Sequence, residues 1–320
     1  KKEAIEERQD AVASIARSSR RLDDLRECLK GLRDMERLAT QLSYNRSAGR
    51  DLVAIGLALE RMPRLKSICN EVDDSLLNKL SNDLDVLETM RIDIQANLND
   101  EQPLSMRDGG VIREGIDKKL DELRDAAAVG HKWFKDLEIR ERARLEIPSL
   151  KVRHNRQIGW YIEVTKTHLG KVPEDWNRRQ QMTNGNRYVT DELVEWEDKL
   201  VTAATKANAI EYNMFRDLRD RCKEKSRTLG MISTCVAQID TLQCFAEIAR
   251  NRSWTRPVIH DDSRLIAKGL RHPVLEAQTG FVPNDINLNK KRKFLLITGP
   301  NMGGKSTHLR CAALLSVLAQ

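Results

Sequence analysis

The sequence predicts a mainly α chain: a helical core running into two long antiparallel helical arms, a small β insertion between the arms, and a partial α/β segment at the C-terminus. Three observations predict it. The 320 residues include only five Phe, five Trp and four Tyr, and long stretches are built of Leu, Ala, Glu, Lys and Arg, a composition that favours extended helices over an all-β fold. Two separated stretches repeat apolar residues at alternating steps of three and four, the spacing of a helix face. Between them, over 148–189, that period gives way to alternation, the spacing of strands.

In the first hundred residues, Leu22, Leu25, Leu29 and Leu32, and then Leu76, Leu77, Leu80, Leu84 and Leu87, place apolar side chains on one face of each helix. Helices of this kind pack into a bundle. Breaks are expected at Ser18-Ser19, Tyr44 to Gly49, Pro63, Asp73-Asp74-Ser75 and Asn99 to Pro103, where residues terminate or compete with helical hydrogen bonding. Charge says little here, because residues 1–99 carry 17 basic and 18 acidic side chains.

The arms follow. Ile116, Leu120, Leu123, Ala127, Gly130, Phe134 and Leu137 form one seam, and Leu193, Trp196, Leu200, Ala203, Ala207, Ile210 and Met214 form a matching one. Each seam covers 22 residues, at least ~33 Å of helix at about 1.5 Å per residue. A chain leaving on one and returning on the other makes an antiparallel stalk, with Ala127, Gly130, Ala203 and Ala207 permitting close approach. Two ordinary amphipathic helices in one core are the alternative.

In the insertion, Leu150 and Val152 alternate with Lys151 and Arg153, and Ile158, Trp160, Ile162 and Val164 with Gly159, Tyr161 and Glu163. A first turn is expected at His154-Asn155-Arg156-Gln157. A second is marked by Asn184-Gly185, a dipeptide that supplies positive φ for a tight hairpin. The tip holds eight Lys/Arg (Lys151, Arg153, Arg156, Lys166, Lys171, Arg178, Arg179, Arg187) and three acids, a balance of +5 out of +7 for the whole chain. Clustered cations neutralise phosphates and release counterions without reading sequence, so a nucleic acid is the natural partner. A solvated basic face is the alternative.

At the C-terminus, Lys293 to Thr298 reads as a buried strand running into Gly299-Pro300-Asn301-Met302-Gly303-Gly304-Lys305-Ser306-Thr307, followed by an apolar-rich helix. This is G-x-x-x-x-G-K-S in its strand and helix setting. The glycines let backbone N–H groups wrap phosphates at a helix N-terminus. Lys305 is expected on the β/γ-phosphates and Ser306 on Mg2+. The expected cofactors are therefore ATP and Mg2+. Phe281, just after Gly280, reads from its position alone as a strand-edge core residue.

Other chemistries find less support. Cys28, Cys69, Cys222, Cys235, Cys244 and Cys311 are scattered without a C-x-x-C, as packing residues of a reducing compartment are. The six His lack metal-ligand spacing, and His272 before Pro273 reads as a turn residue. The pairs Asp23-Asp24, Asp73-Asp74 and Asp261-Asp262 suit capping and solvation rather than catalysis. No 18-residue apolar run is present, so no membrane partner is expected, and Lys1 to Glu7 lacks the apolar region of a signal peptide. With no opening Met, and with an apolar helical pattern still running at Ala319-Gln320, the chain is expected to be a piece of a longer protein.

Thr298 to Thr307, preceded by Arg271-His272-Pro273-Val274-Leu275 and Phe281-Val282-Pro283-Asn284-Asp285, resembles the start of the ATPase domain of the MutS family of DNA mismatch-repair proteins. Leu150 to Val164 and Arg178 to Tyr188 resemble that family's clamp in its bacterial form, and Asp108-Gly109-Gly110-Val111-Ile112 the turn opening the second half of its lever. The resemblance implies core helices and outgoing lever over 1–146, a β-rich DNA clamp over 147–189, a returning lever over 190–252, and the first part of an ABC-type P-loop ATPase domain over 253–320. It implies a cytoplasmic, nucleoid-associated homodimer that closes round double-stranded DNA, switches with ATP and works with downstream mismatch-repair proteins. It places Phe281 on the adenine, Asn301 to Thr307 on the phosphates, and Arg153, Asn155, Arg156, Arg178, Arg179, Asn184 and Arg187 on the DNA backbone. Thr183 stands where many bacterial relatives carry Lys, so one clamp charge is missing. A Phe-x-Glu mismatch wedge is matched only by Phe245-Ala246-Glu247, inside a helical pattern, and no strand ending in Asp-Glu follows the loop. These residues alone are thus expected to bind duplex weakly and turn over little ATP, the catalytic groups being unknown. An ABC-type ATPase head whose stalk tip docks a protein is the alternative function.

Overall fold

The computed structural model describes residues 2–155, 157–277, 280–300 and 303–319. In chain order the elements are α1 (Lys2–Ala16), α2 (Ser19–Leu29), α3 (Met35–Ser43), α4 (Gly49–Asn70), α5 (Ser75–Asp83), α6 (Glu88–Asn97), α7 (Lys118–Leu145), β1 (Lys151–Asn155), β2 (Gly159–Thr165), β3 (Asn177–Met182), β4 (Gly185–Val189), α8 (Asp191–Lys223), α9 (Ser226–Asn251), β5 (Leu265–Leu270), β6 (Asn284–Leu288) and α10 (Lys305–Leu318). The chain is mainly helical with small antiparallel sheets, as the composition implies.

Several helices begin where short polar side chains take up free N–H groups of the first turn. Asp34 caps α3 at 2.9 Å, Asp74 α5 at 3.0 Å, Asp117 α7 at 2.8 Å and Thr190 α8 at 3.1 Å. Pro63 is not the expected break, for α4 runs through it. The exposed ring sits beside buried Leu59, Met62 and Leu65, and burial of that face offsets the hydrogen bond a proline removes.

Two compact units are formed, one of Lys1–Leu32, Arg61–Val86 and Gly230–Gln320, the other of Arg33–Glu60 and Leu87–Leu229. The helices of the first hundred residues divide between them. The second unit contains the arms and the tip. Helices α7 and α8, 28 and 33 residues long, pair antiparallel, since partners on α8 fall in number as those on α7 rise. Arg124 meets Glu211, Gly130 lies under Leu200, Trp133 stacks on Trp196 at 5.1 Å and Arg140 bonds Glu192.

The seams differ from expectation at two places. Ile116 precedes α7 and is 41% exposed. On α8 the buried line passes from Ala203 and Ala207 to Glu211, Phe215, Leu218 and Cys222, leaving Ile210 and Met214 half-buried. A straight helix rotates out of a strict seven-residue repeat by about 20° per heptad. The buried Glu211 carboxylate is matched by Arg124 and accepts the Gly110 N–H at 3.2 Å.

The tip is a four-stranded antiparallel sheet of order β1-β2-β4-β3. Its core joins Ile162 and Val164 of β2, Tyr188 and Val189 of β4 and Trp176 to Phe134 and Leu137 of α7 and Leu193 of α8. The second hairpin departs from expectation. Met182 pairs with Gly185, so its two central residues are Thr183 and Asn184, and neither has positive φ. Gly185 is needed for space instead: a Cβ there would lie 2.3 Å from the Val164 carbonyl oxygen. Tyr161 is buried despite facing away from Ile162, because the Arg187 guanidinium lies 4.4 Å over its ring.

In the C-terminal part of the first unit, β5 and β6 pair antiparallel, and Leu270, Ile286 and Cys311 of α10 form a small core. The expected buried strand over 293–298 is absent, with Phe294 78% and Leu296 74% exposed. A strand requires a hydrogen-bonded neighbour. Among the described residues β5 and β6 satisfy each other and none pairs with this segment.

Candidate functional site

The tip is fixed to both arms by carboxylates. Glu138 of α7 accepts the Val152 N–H of β1 at 2.7 Å, and Glu197 of α8 accepts the Trp160 N–H of β2 at 3.1 Å. Gly159 makes room for the second contact, since a Cβ would lie 2.3 Å from Glu197 Oε1. Trp160 stacks on Phe134 with ring centroids 4.0 Å apart. These anchors were not among the expected site residues, because carboxylates on an exposed helix face give no signal in the sequence of what they will meet.

On this support the cations take separate places. Arg153 is exposed on β1, and Arg178 and Arg179 are exposed on β3. β1 and β3 are opposite edges of the sheet, about 14 Å apart at three strand spacings. Cross-strand pairing and the two-residue period put Lys151, Arg153, Glu163, Arg187 and Gln180 on one face, and Arg178, opposite Tyr188, on the other. Arg179 is the extra residue where the β3 register shifts. The expected contacts therefore flank the sheet rather than converge.

Lys151, Arg153, Lys166, Arg178 and Arg179 have no ionic partner among the described residues, whereas Arg140, Arg142 and Arg144, where α7 meets the tip, are each paired with Glu. Lys151 could have been found by alternation, two residues before Arg153. Asn155 is half-buried and its Oδ1 accepts the Gln157 N–H at 2.8 Å, a turn-forming bond. Asn184 is exposed in the second turn and its carbonyl accepts from the Lys166 N–H. Arg187 is only 15% exposed at its side chain. Arg156 lies outside the described residues.

The glycine loop falls in the other unit. Gly304 caps α10 with φ +81° and without a side-chain cap, which leaves the first-turn N–H groups of the helix free of intrahelical acceptors. A Cβ on Gly303 would lie 3.0 Å from the Pro300 carbonyl oxygen. Lys305 bends back, its Nζ donating to the carbonyls of Gly299 and, at 2.8 Å, Pro300. Ser306 is exposed and Thr307 half-buried. Phe281 is half-buried against the Leu270, Ile286 and Cys311 core, where its position alone placed it. Asn301 and Met302 lie outside the described residues.

Polar groups elsewhere have structural work. His272 Nδ1 accepts the N–H groups of Val274 and Leu275, as its turn position implied. All six cysteines are free and five are buried, Cys244 being exposed. No three His, Cys, Asp or Glu among the described residues are placed to hold a metal ion, and no described helix is long and apolar enough to cross a membrane.

Fold and site together define a protein with an antiparallel helical arm pair, a basic β tip and a glycine loop opening a helix. The sequence model described as MutS family domain IV matches residues 115–206, a stretch that takes in the tip and adjoining parts of both arms. Three curated relatives carry the description DNA mismatch repair protein MutS. That of Methanothrix thermoacetophila is 37% identical over 99% of this chain and 38% of its own length, that of Methanosarcina barkeri 39% over 99% and 36%, and that of Geobacillus kaustophilus 38% over 99% and 36%. The chain belongs to the MutS family, and it spans little more than a third of the length of these relatives.

Proposed function

We propose that the chain grips the backbone of duplex DNA through its β tip and holds ATP with Mg2+ at the 299–307 loop, as part of a mismatch-repair protein. The observation that carries this is the set of cations on the tip, Lys151, Arg153, Lys166, Arg178 and Arg179, which have no carboxylate partner among the described residues, beside an arm whose arginines are neutralised. Cations on both edge strands suit a curved polyanion contacted through its phosphates, not a small ligand enclosed in a pocket. The closing of a dimer round DNA and its response to nucleotide belong to the same reading.

The loop residues fit a triphosphate. The room kept by Gly303, the left-handed Gly304 and the uncapped start of α10 offer backbone N–H groups to an anion. Lys305 would exchange two carbonyl acceptors for phosphate oxygens, which bind an ammonium more strongly. The exposed Ser306 hydroxyl would serve Mg2+, and Phe281 the base. Bound nucleotide supplies a concentrated negative charge that can be present or absent at this helix end.

The test is the salt dependence of duplex binding, read by fluorescence anisotropy. The logarithm of the association constant is expected to fall linearly with that of salt concentration, by about 0.9 for each phosphate neutralised. Arg178→Glu with Arg179→Glu should reduce both affinity and slope, the slope by about 1.8. Affinity that is absent, or indifferent to salt and to these substitutions, would overturn the proposal and favour a tip that docks protein.

A further inference from the structure

We infer that Arg187 is a positioning residue that straps the edge strand β3 to the sheet and so presents Arg178 and Arg179, and that it does not itself neutralise a phosphate. The inference rests on the reading of the tip as a grip on DNA.

Beyond its backbone ladder to β4, strand β3 has little else to hold it. All six of its residues are exposed, so burial contributes almost nothing to its attachment. Its ladder to β4 is interrupted by the register shift between Arg178 and Gln180. Among the described residues its one side-chain hydrogen bond to the rest of the tip is from Arg187 Nη1 to Gln180 Oε1, 2.8 Å long.

Arg187 in turn is committed on three sides. Its guanidinium lies 4.4 Å over the Tyr161 ring of β2, and its Nε is 3.8 Å from Glu163 of the same strand. Glu163, Arg187 and Gln180 occupy one cross-strand row, so this one side chain ties β2, β4 and β3 together. Its Nε is inaccessible and its side chain 15% exposed. A charge already facing a carboxylate and an aromatic face would have to abandon both to meet a phosphate. Lysine cannot replace it, because only a planar guanidinium stacks on the ring while its fork reaches a side-chain acceptor.

Two measurements on the full chain test this. Amide hydrogen exchange without DNA reads the attachment of β3, and the salt titration reads phosphate contacts. In Arg187→Gln, Arg187→Lys and Gln180→Ala, exchange over 177–182 should accelerate; duplex affinity should fall about five- to ten-fold in the Arg187 variants, as for loss of a cation–π contact and one hydrogen bond, and about two- to five-fold in Gln180→Ala, which loses the hydrogen bond alone. The salt slope should stay at the wild-type value in all three. Gln180 is neutral and cannot release counterions, so its agreement with the Arg187 variants would mark the effect as positional. A slope reduced by about 0.9 in Arg187→Gln but kept in Arg187→Lys, with exchange unchanged, would show a phosphate contact and overturn the inference. Wild-type protein with no salt-dependent affinity would instead remove the DNA reading, an outcome told apart because exchange is read without DNA.

Discussion

Gly185 shows how a single position can be right for a reason different from the expected one. Its dipeptide with Asn184 signals a turn, yet the backbone there is ordinary, and what excludes a side chain is the Val164 carbonyl oxygen, 2.3 Å from where a Cβ would stand. Both atoms belong to backbone in adjacent strands, so neither can swing aside. Gly185→Ala is expected to cost about 1–3 kcal/mol, the range of forced overpacking, seen as a lower denaturation midpoint followed by Trp fluorescence. Gly170→Ala is the control: its Cβ would meet nothing within 4 Å, and the change should stay within about 0.5 kcal/mol. The basic residues of the tip show the same limit. Their number can be counted in the sequence, but that Arg187 faces Glu163 and Tyr161 while Arg178 faces no acid among the described residues follows only from the register of four strands.

At the scale of elements, the arms and the β character of the tip are legible because they are properties of local spacing. Of the 3-4 steps, Leu120, Gly130, Phe134 and Leu137 on α7 and Leu193, Ala203 and Ala207 on α8 are buried, with Leu123, Ala127, Trp196 and Leu200 half-buried between them. What could not be read depends on distant neighbours. Glu211 can lie 1% exposed because Arg124 meets it from α7, Pro63 is carried by the apolar residues around it, and residues 293–298 look like a strand but pair with none among the described residues. Of the candidate site, the glycine loop is legible as a motif, whereas the anchors Glu138 and Glu197 are not. Glu197→Ala leaves the Trp160 N–H without its acceptor and should cost about 1–3 kcal/mol. Trp emission should change with it, since Trp160 stacks on Phe134. Glu197→Gln keeps a carbonyl oxygen as acceptor and should retain most of the stability; equal losses in the two variants would rule out this anchoring role.

For the molecule as a whole, burial of the cysteines sets a pH dependence. Desolvation pushes the thiols of Cys69 and Cys222 from 9.0 up to about 12, while the unfolded chain ionises at the ordinary value. The protonated thiols therefore favour the folded state fully below about pH 9, and this contribution is lost as pH rises towards 12. Cys69→Ala with Cys222→Ala should flatten the decline of stability over that window, measured by urea denaturation at stepped pH. Iodoacetamide at pH 8 should label Cys244 in the native protein and the remaining thiols only after unfolding. The tip and the glycine loop fall in different units, and within the tip's own unit the two carboxylate anchors come from different helices and end on different strands. Sliding of one helix along the other by a single residue, about 1.5 Å, would stretch one of these bonds past its reach or drag β1 along β2. The hairpin is thus a strain gauge bridging its two supports, unable to ignore a displacement between them.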